Sequence, residues 1–285
     1  MLVKRDINFK DDTGATALHN AASGGYDDIA QLLLSKGASI EVVDKDNNTP
    51  LHLAIQFGHT STVELLLSKG APTEVANEHN EDTPLHLAAL YGYTSTVELL
   101  LSKGASIEAT NNDNNTPLHL AARYDHTSTV KLLLSKGASI EATDHYNNTQ
   151  LQFAAQFGHT STVELLLSKG ASIEATDHYS STPLHLAAWN GHTSTVELLL
   201  SKGASIEAMN HDNYTPLHHA ARHGHTSTVE LLLSKGASIE VTDKDNTPLH
   251  HAARNGYTST MELLRSKDAS IKATNKDNYT PLGLQ

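Results

Sequence analysis

The chain has 285 residues, a formal net charge of −12 at pH 7, no cysteine and 19 histidines. Without cysteine neither disulfides nor thiolate metal sites can form, and the acidic balance opposes non-specific binding to nucleic acid or anionic lipid. No apolar run reaches membrane-spanning length, and Met1 to Asp6 meets charge before any leader-like core, so a cytoplasmic protein with no membrane partner is expected.

Taken in order, Ile7 and Asn8 align with Ile40 and Glu41, which assigns residues 1–15 to the tail of a preceding unit. Thr-Pro-Leu-His or a variant then begins at Thr16, Thr49, Thr83, Thr116, Thr149, Thr182, Thr215, Thr247 and Thr280, in steps of 32 to 34 residues. Thr is a good helix cap, and Pro fits the first helical position, where its missing N–H costs nothing. A short helix such as Leu184 to Trp189 follows, broken at Asn190 and Gly191, with Ala187 and Ala188 small enough for close approach. The next stretch, from Thr193 to Ala204, changes least between units. Its Val196, Leu199 and Leu200 recur at i, i+3, i+4, one face of a helix. Ser194 and Glu197 fit a capping box, and Gly203 supplies a left-handed stop. A helix of about three turns is marginal alone, so its apolar face must lie against another copy. Residues 16–279 thus form eight two-helix units, and residues 280–285 begin a truncated ninth. The expected class is all-α.

The pattern Thr-Pro-Leu-His-Leu-Ala-Ala-x-x-Gly-His, followed by Val-Glu-Leu-Leu-Leu-x-x-Gly-Ala, resembles the ankyrin repeat over nearly the whole chain. The resemblance implies antiparallel helix pairs stacked into a solenoid, with short β-hairpin or turn fingers on one edge. It also implies partner proteins bound on the fingers and on the concave face of the first helices. The family's finger glycine survives only as Gly14; Asn47, Asn114, Asn147, Ser180, Asn213 and Asn278 stand in its place. Asn tolerates the left-handed conformation, so the turns should persist. An extra residue in 77–82 and a missing one in 243–246 both fall in fingers, where they should not break the stack. The fifth unit lacks both Pro and His at Thr149 to Gln152 and is expected to be the softest joint. Arg265, Asp268 and Lys272 give the eighth a wetter, cap-like face.

Seven histidines occupy the Thr-x-Leu-His slot (His19, His52, His86, His119, His185, His218, His250), and five follow the helix-breaking Gly or Asp (His59, His126, His159, His192, His225). By resemblance these are structural, the first set linking loop to helix. A histidine beside a helix N-terminus should have a depressed pKa, making stability fall below about pH 6.5. His219, His223 and His251 are the best zinc candidates, but no carboxylate or cysteine completes the set, so no metal or cofactor is assigned. The sequence has no phosphate loop, no nucleophile elbow and no catalytic residue. Glu41, Glu74, Glu108, Glu141, Glu174, Glu207 and Glu240 recur once per unit, as a solvated row would. Asn-x-Thr sequons read as turn chemistry.

What varies is a two-residue slot after Ala-Ala or its variant: Gln56-Phe57, Leu90-Tyr91, Arg123-Tyr124, Gln156-Phe157, Trp189-Asn190, Arg222-His223 and Arg254-Asn255. By resemblance this slot faces the concave groove, where Phe57, Tyr91, Tyr124, Phe157 and Trp189 would form a ridge on the order of 40 Å long. Leu90 and Arg123 share it, and Arg222, His223 and Arg254 continue it with positive charge. Aromatics and Arg are common interface anchors, so the expected partner of this monomeric, non-enzymatic scaffold is a protein or peptide with an apolar stretch and an acidic end. Alternatively the aromatics only cover helix ends, and the array is a spacer or the targeting arm of a larger enzyme.

Overall fold

Each unit starts where a threonine and a histidine complete one another. In the computed structural model, which describes residues 6–244 and 246–284, the helix Pro183–Trp189 is capped by Thr182. The Thr182 N–H donates to His185 Nδ1 at 3.1 Å, and the His185 N–H donates back to the Thr182 hydroxyl at 3.5 Å. Because Nδ1 accepts, the ring carries its proton on Nε2, which donates to the carbonyl of Tyr214 in the next finger at 3.0 Å. His86 and His218 reach forward in the same way, to Asn115 and Asn246. The readings of Met1 to Arg5, Asp245 and Gln285 lie outside the described residues.

Among the described residues there are sixteen α-helices in eight pairs, a short 3-10 turn at Pro281–Leu284, and no strand, only an isolated bridge between Asp243 and Asn246. The chain is therefore all-α as expected, and its fingers are turns rather than β-hairpins. It comprises two compact units, Met1–His145 and Tyr146–Gln285, each containing four helix pairs. Within each, short helices pack on neighbouring short helices and on the long helix of their own pair. Ala187 and Ala188 are wholly buried at such a contact.

The long helix differs from expectation at its start. It runs Thr193–Ser201, about two and a half turns, capped by His192 with no side-chain cap bond. Ser194 therefore lies inside the helix and the Ser194–Glu197 box does not form. The reason is Gly191: its φ of +72° turns the chain so that the His192 carbonyl already accepts the Val196 N–H at 2.9 Å. Thr195, Val196 and Leu199 are buried, whereas Leu200 is only half-buried. Gly203, at φ +95°, ends the helix as expected, with Ala204 N–H returning to Leu199 at 3.0 Å.

His192 also closes the joint backwards. Its Nε2 bonds the carbonyl of Gln156 at 3.0 Å, as His225 bonds Trp189 and, in the first unit, His59 bonds Ser23 and His126 bonds Leu90. Asn47, Asn114, Asn147, Ser180, Asn213 and Asn278 all adopt φ near +60°, so the finger turns survive without glycine. The glutamate row is not merely solvated. Glu74, Glu108, Glu174, Glu207 and Glu240 accept the backbone N–H of Ser106, Ser139, Ser205, Ser238 and Ser270, about one pair ahead, at 2.6–3.0 Å.

Two irregular pairs resolve differently. At Thr149, Gln152 replaces the histidine bond for bond: its Oε1 accepts the Thr149 N–H at 2.8 Å and its Nε2 donates to Ser181 at 2.9 Å. The joint between the fifth and sixth pairs thus keeps its cap. At the 77–82 finger, which carries the extra residue, the Asp82 and Val75 carbonyls lie toward buried His52, but its Nε2 makes no well-formed hydrogen bond. No helix among the described residues is long and apolar enough to cross a membrane.

Candidate functional site

The second unit holds a cavity of about 540 Å³, open along one side. Tyr146, Asn148, Asp177, Tyr179, Ser181, Asn210, Asp212 and Tyr214 line it from three successive fingers, and Gln156, Leu186, Trp189, Asn190, His219 and Arg222 from the short helices. The fingers are held side by side by main-chain bonds, His178 N–H to Tyr146 at 2.8 Å and His211 N–H to Tyr179 at 3.0 Å. Asp177 Oδ1 accepts the N–H groups of Tyr179 and Ser181, both at 2.8 Å, which tightens the turn carrying the tyrosine.

Several of the lining rings contact one another. His219 lies between Trp189, at 4.9 Å, and Tyr214, at 5.1 Å, and Trp189 also covers His223 at 4.8 Å. Tyr214 also meets His251 at 5.1 Å, while the Arg222 guanidinium stands 5.4 Å from its ring centre and donates to its hydroxyl at 2.8 Å. Burial, with neighbouring histidines adding to it, pushes His219 far below the ordinary histidine range, so that ring is uncharged at neutral pH. His251 Nε2 pairs with Asp243 at 2.9 Å in the interior. Burial, the largest single influence, would raise the Asp243 carboxyl; the hydrogen bond and field of His251, with His218 and the Asn246 N–H, together outweigh it and leave the group below its usual value. The zinc candidates are thus engaged separately, His219 and His223 against Trp189 and His251 with a carboxylate eight residues upstream that the sequence reading missed.

Burial also depresses the capping histidines, with His52, His185 and His218 each lowered to about 4. The direction is the expected one, but desolvation is the main cause, not the helix dipole.

The two slot positions diverge because one helical residue turns the side chain by about 100°. First-position Gln156, Trp189 and Arg222 line the cavity. Of the second-position residues Asn190 also reaches the cavity, whereas others lean toward the start of the long helix: Phe157 stacks on His159 at 6.1 Å, His223 on His225 at 6.2 Å, and in the first unit Tyr91 on Tyr93 at 5.8 Å. Trp189 aligns with Gln156 rather than Phe157, so the expected ridge mixes two registers. In the first unit Phe57, Tyr91 and Tyr124 are exposed, Leu90 and Arg123 half-buried, and the Arg123 guanidinium lies 5.9 Å from the Tyr124 ring. Arg254 is exposed in the second. Sequence reasoning did not single out Tyr146, Tyr179 and Tyr214; their cue was an aromatic within two residues of the finger's left-handed position.

Comparison with known proteins agrees with this architecture. A family model for ankyrin repeats in three copies matches residues 1–77, 72–144, 141–210 and 206–277. The crystal structure of the human ASB11 ankyrin repeat domain is similar at a TM-score of 0.72 and 27% identity, over 79% of this chain and 99% of that one. No curated protein matches. With the family model spanning nearly every residue, and sixteen helices paired as its repeats require, the chain belongs to the ankyrin-repeat family.

Proposed function

We propose that the cavity of the second unit binds an extended segment of a partner protein. Ankyrin-repeat domains are generally non-enzymatic protein–protein interaction modules. What supports a binder over a spacer here is one observation: the long helices are almost invariant, whereas the residues lining this opening vary more between repeats, although two fingers share Asp-His-Tyr, and include Tyr146, Tyr179, Trp189 and Tyr214. Its volume falls in the range of pockets that enclose ligand groups, and rigid aromatic anchors dominate such contacts. Lys244 and Lys276 on the following fingers suit an acidic end of that segment, and the aromatic floor suits an apolar stretch.

A random peptide library selected against the full chain tests the reading. Peptides recovered on the wild type should lose about tenfold or more in affinity on W189A and on Y179A, and be unaffected by F57A. Equal retention on W189A, with an unchanged circular dichroism spectrum, would dismiss the cavity as the binding surface.

A further inference from the structure

We infer that this cavity takes an arginine side chain of the partner segment, stacked on the rings of Tyr179 and Trp189 with the carboxylates of Asp177 and Asp212 beside it. The inference rests on the reading that the cavity binds a partner and supplies the chemistry of one contact. The Tyr214 ring is already engaged by His219 and His251, each at 5.1 Å, and by the Arg222 guanidinium at 5.4 Å. Tyr179 and Trp189 are the more open rings, 62% and 45% exposed, with His219 and His223 at 4.9 and 4.8 Å from Trp189.

Charge points the same way. The lining carries two carboxylates, Asp177 and Asp212, against one guanidinium, and that guanidinium, Arg222, is already held by Tyr214. Lys244 stands 3.7 Å from Asp212, but both side chains are 67% exposed, and such a pair contributes little. An electron-rich ring face with a carboxylate beside it attracts a cation more than a neutral group. Arginine fits better than lysine, because its planar fork stacks on a ring and bonds a carboxylate at the same time. The protein makes this contact itself at the far end of the cavity, where Arg222 lies against Tyr214, and again where Arg123 lies against Tyr124.

Trp189 is the chain's single tryptophan, so its fluorescence reads occupancy directly. The probes are acetyl-Ala-Arg-Ala-amide and the same peptide with citrulline, which keeps the shape and loses the charge. A saturable fluorescence change with the arginine peptide, about tenfold weaker with citrulline, is expected. D177N/D212N should weaken the arginine peptide by a similar factor and leave the citrulline peptide alone, and R222Q should weaken neither. D212N by itself, which spares the Asp177 turn, should show part of the effect. Equal affinity for arginine and citrulline, or an arginine affinity indifferent to D177N/D212N and D212N, would overturn the inference. If the arginine peptide gives no response while library-selected peptides still depend on Trp189, the arginine contact is wrong and the cavity reading stands. Selected peptides indifferent to W189A would end both.

Discussion

Replacing His52, His185 and His218 by Gln together should remove a large share of the acid sensitivity of this fold while changing its stability at pH 7.5 little. Each ring must present a bare Nδ1 to its threonine N–H, as in Thr182 and His185, so protonation breaks the cap as well as charging a buried group. Their folded pKa values are lowered to about 4. A depressed histidine leaves the unfolded chain as the better proton binder. Stability is therefore complete above the unfolded value of about 6.5 and is lost as pH falls toward the folded one. At pH 5.5 the linkage relation gives about 1.4 kcal/mol for each such histidine, or roughly 4 kcal/mol for three. Two of them lie in the second unit, where the loss corresponds to about 1.4 M in urea midpoint for a typical dependence near 2 kcal/mol per M. Gln152 shows that glutamine makes the same bonds without titrating. Urea titrations at pH 7.5 and 5.5, followed by circular dichroism for the whole chain and by Trp189 fluorescence for the second unit, provide the assay. Some dependence should remain in the variant, because burial also lowers His19, His86 and His250. Equal wild-type midpoints at the two pH values, or a variant that loses as much as the wild type, would refute the reasoning.

Other substitutions probe single joints. S180G should stabilise the second unit by about 0.5–1 kcal/mol, because Ser180 holds φ +59° where a side chain is strained; a lower urea midpoint would contradict this. Deleting exposed His79 restores the usual finger length and should restore a well-formed bond to His52 Nε2, stabilising the first unit by about 1 kcal/mol. No gain would mean the orphaned nitrogen has another origin. D243A strips the buried partner from His251 and should destabilise the second unit by about 2 kcal/mol, read by Trp189 fluorescence; a neutral result would show that the pair contributes nothing.

Much of this fold was legible because the helix starts are local chemistry. Thr-Pro-Leu-His announces a cap, a compatible proline and the ring that completes it within four residues, and the left-handed asparagines follow from their own side chains. The long helix was misread at its first turn because Ser194 and Glu197 have the spacing of a capping box, while the deciding residue, Gly191, acts through backbone geometry three residues earlier. The site was less legible for a different reason. Whether Trp189 and Phe157 share a surface depends on one residue of helical phase, which a motif does not resolve. Tyr146, Tyr179 and Tyr214 meet Trp189 only because neighbouring fingers lie side by side, and Asp243 meets His251 only across the cap at Thr247.

The backward histidine bonds have an evolutionary corollary. His126, His192 and His225 fasten onto Leu90, Gln156 and Trp189, the very residues that differ most between repeats, yet each takes only the main-chain oxygen. No substitution can delete that acceptor. A position can therefore exchange leucine for glutamine or tryptophan, and so acquire a new taste in partners, while the rivet that holds its repeat to the next stays in place.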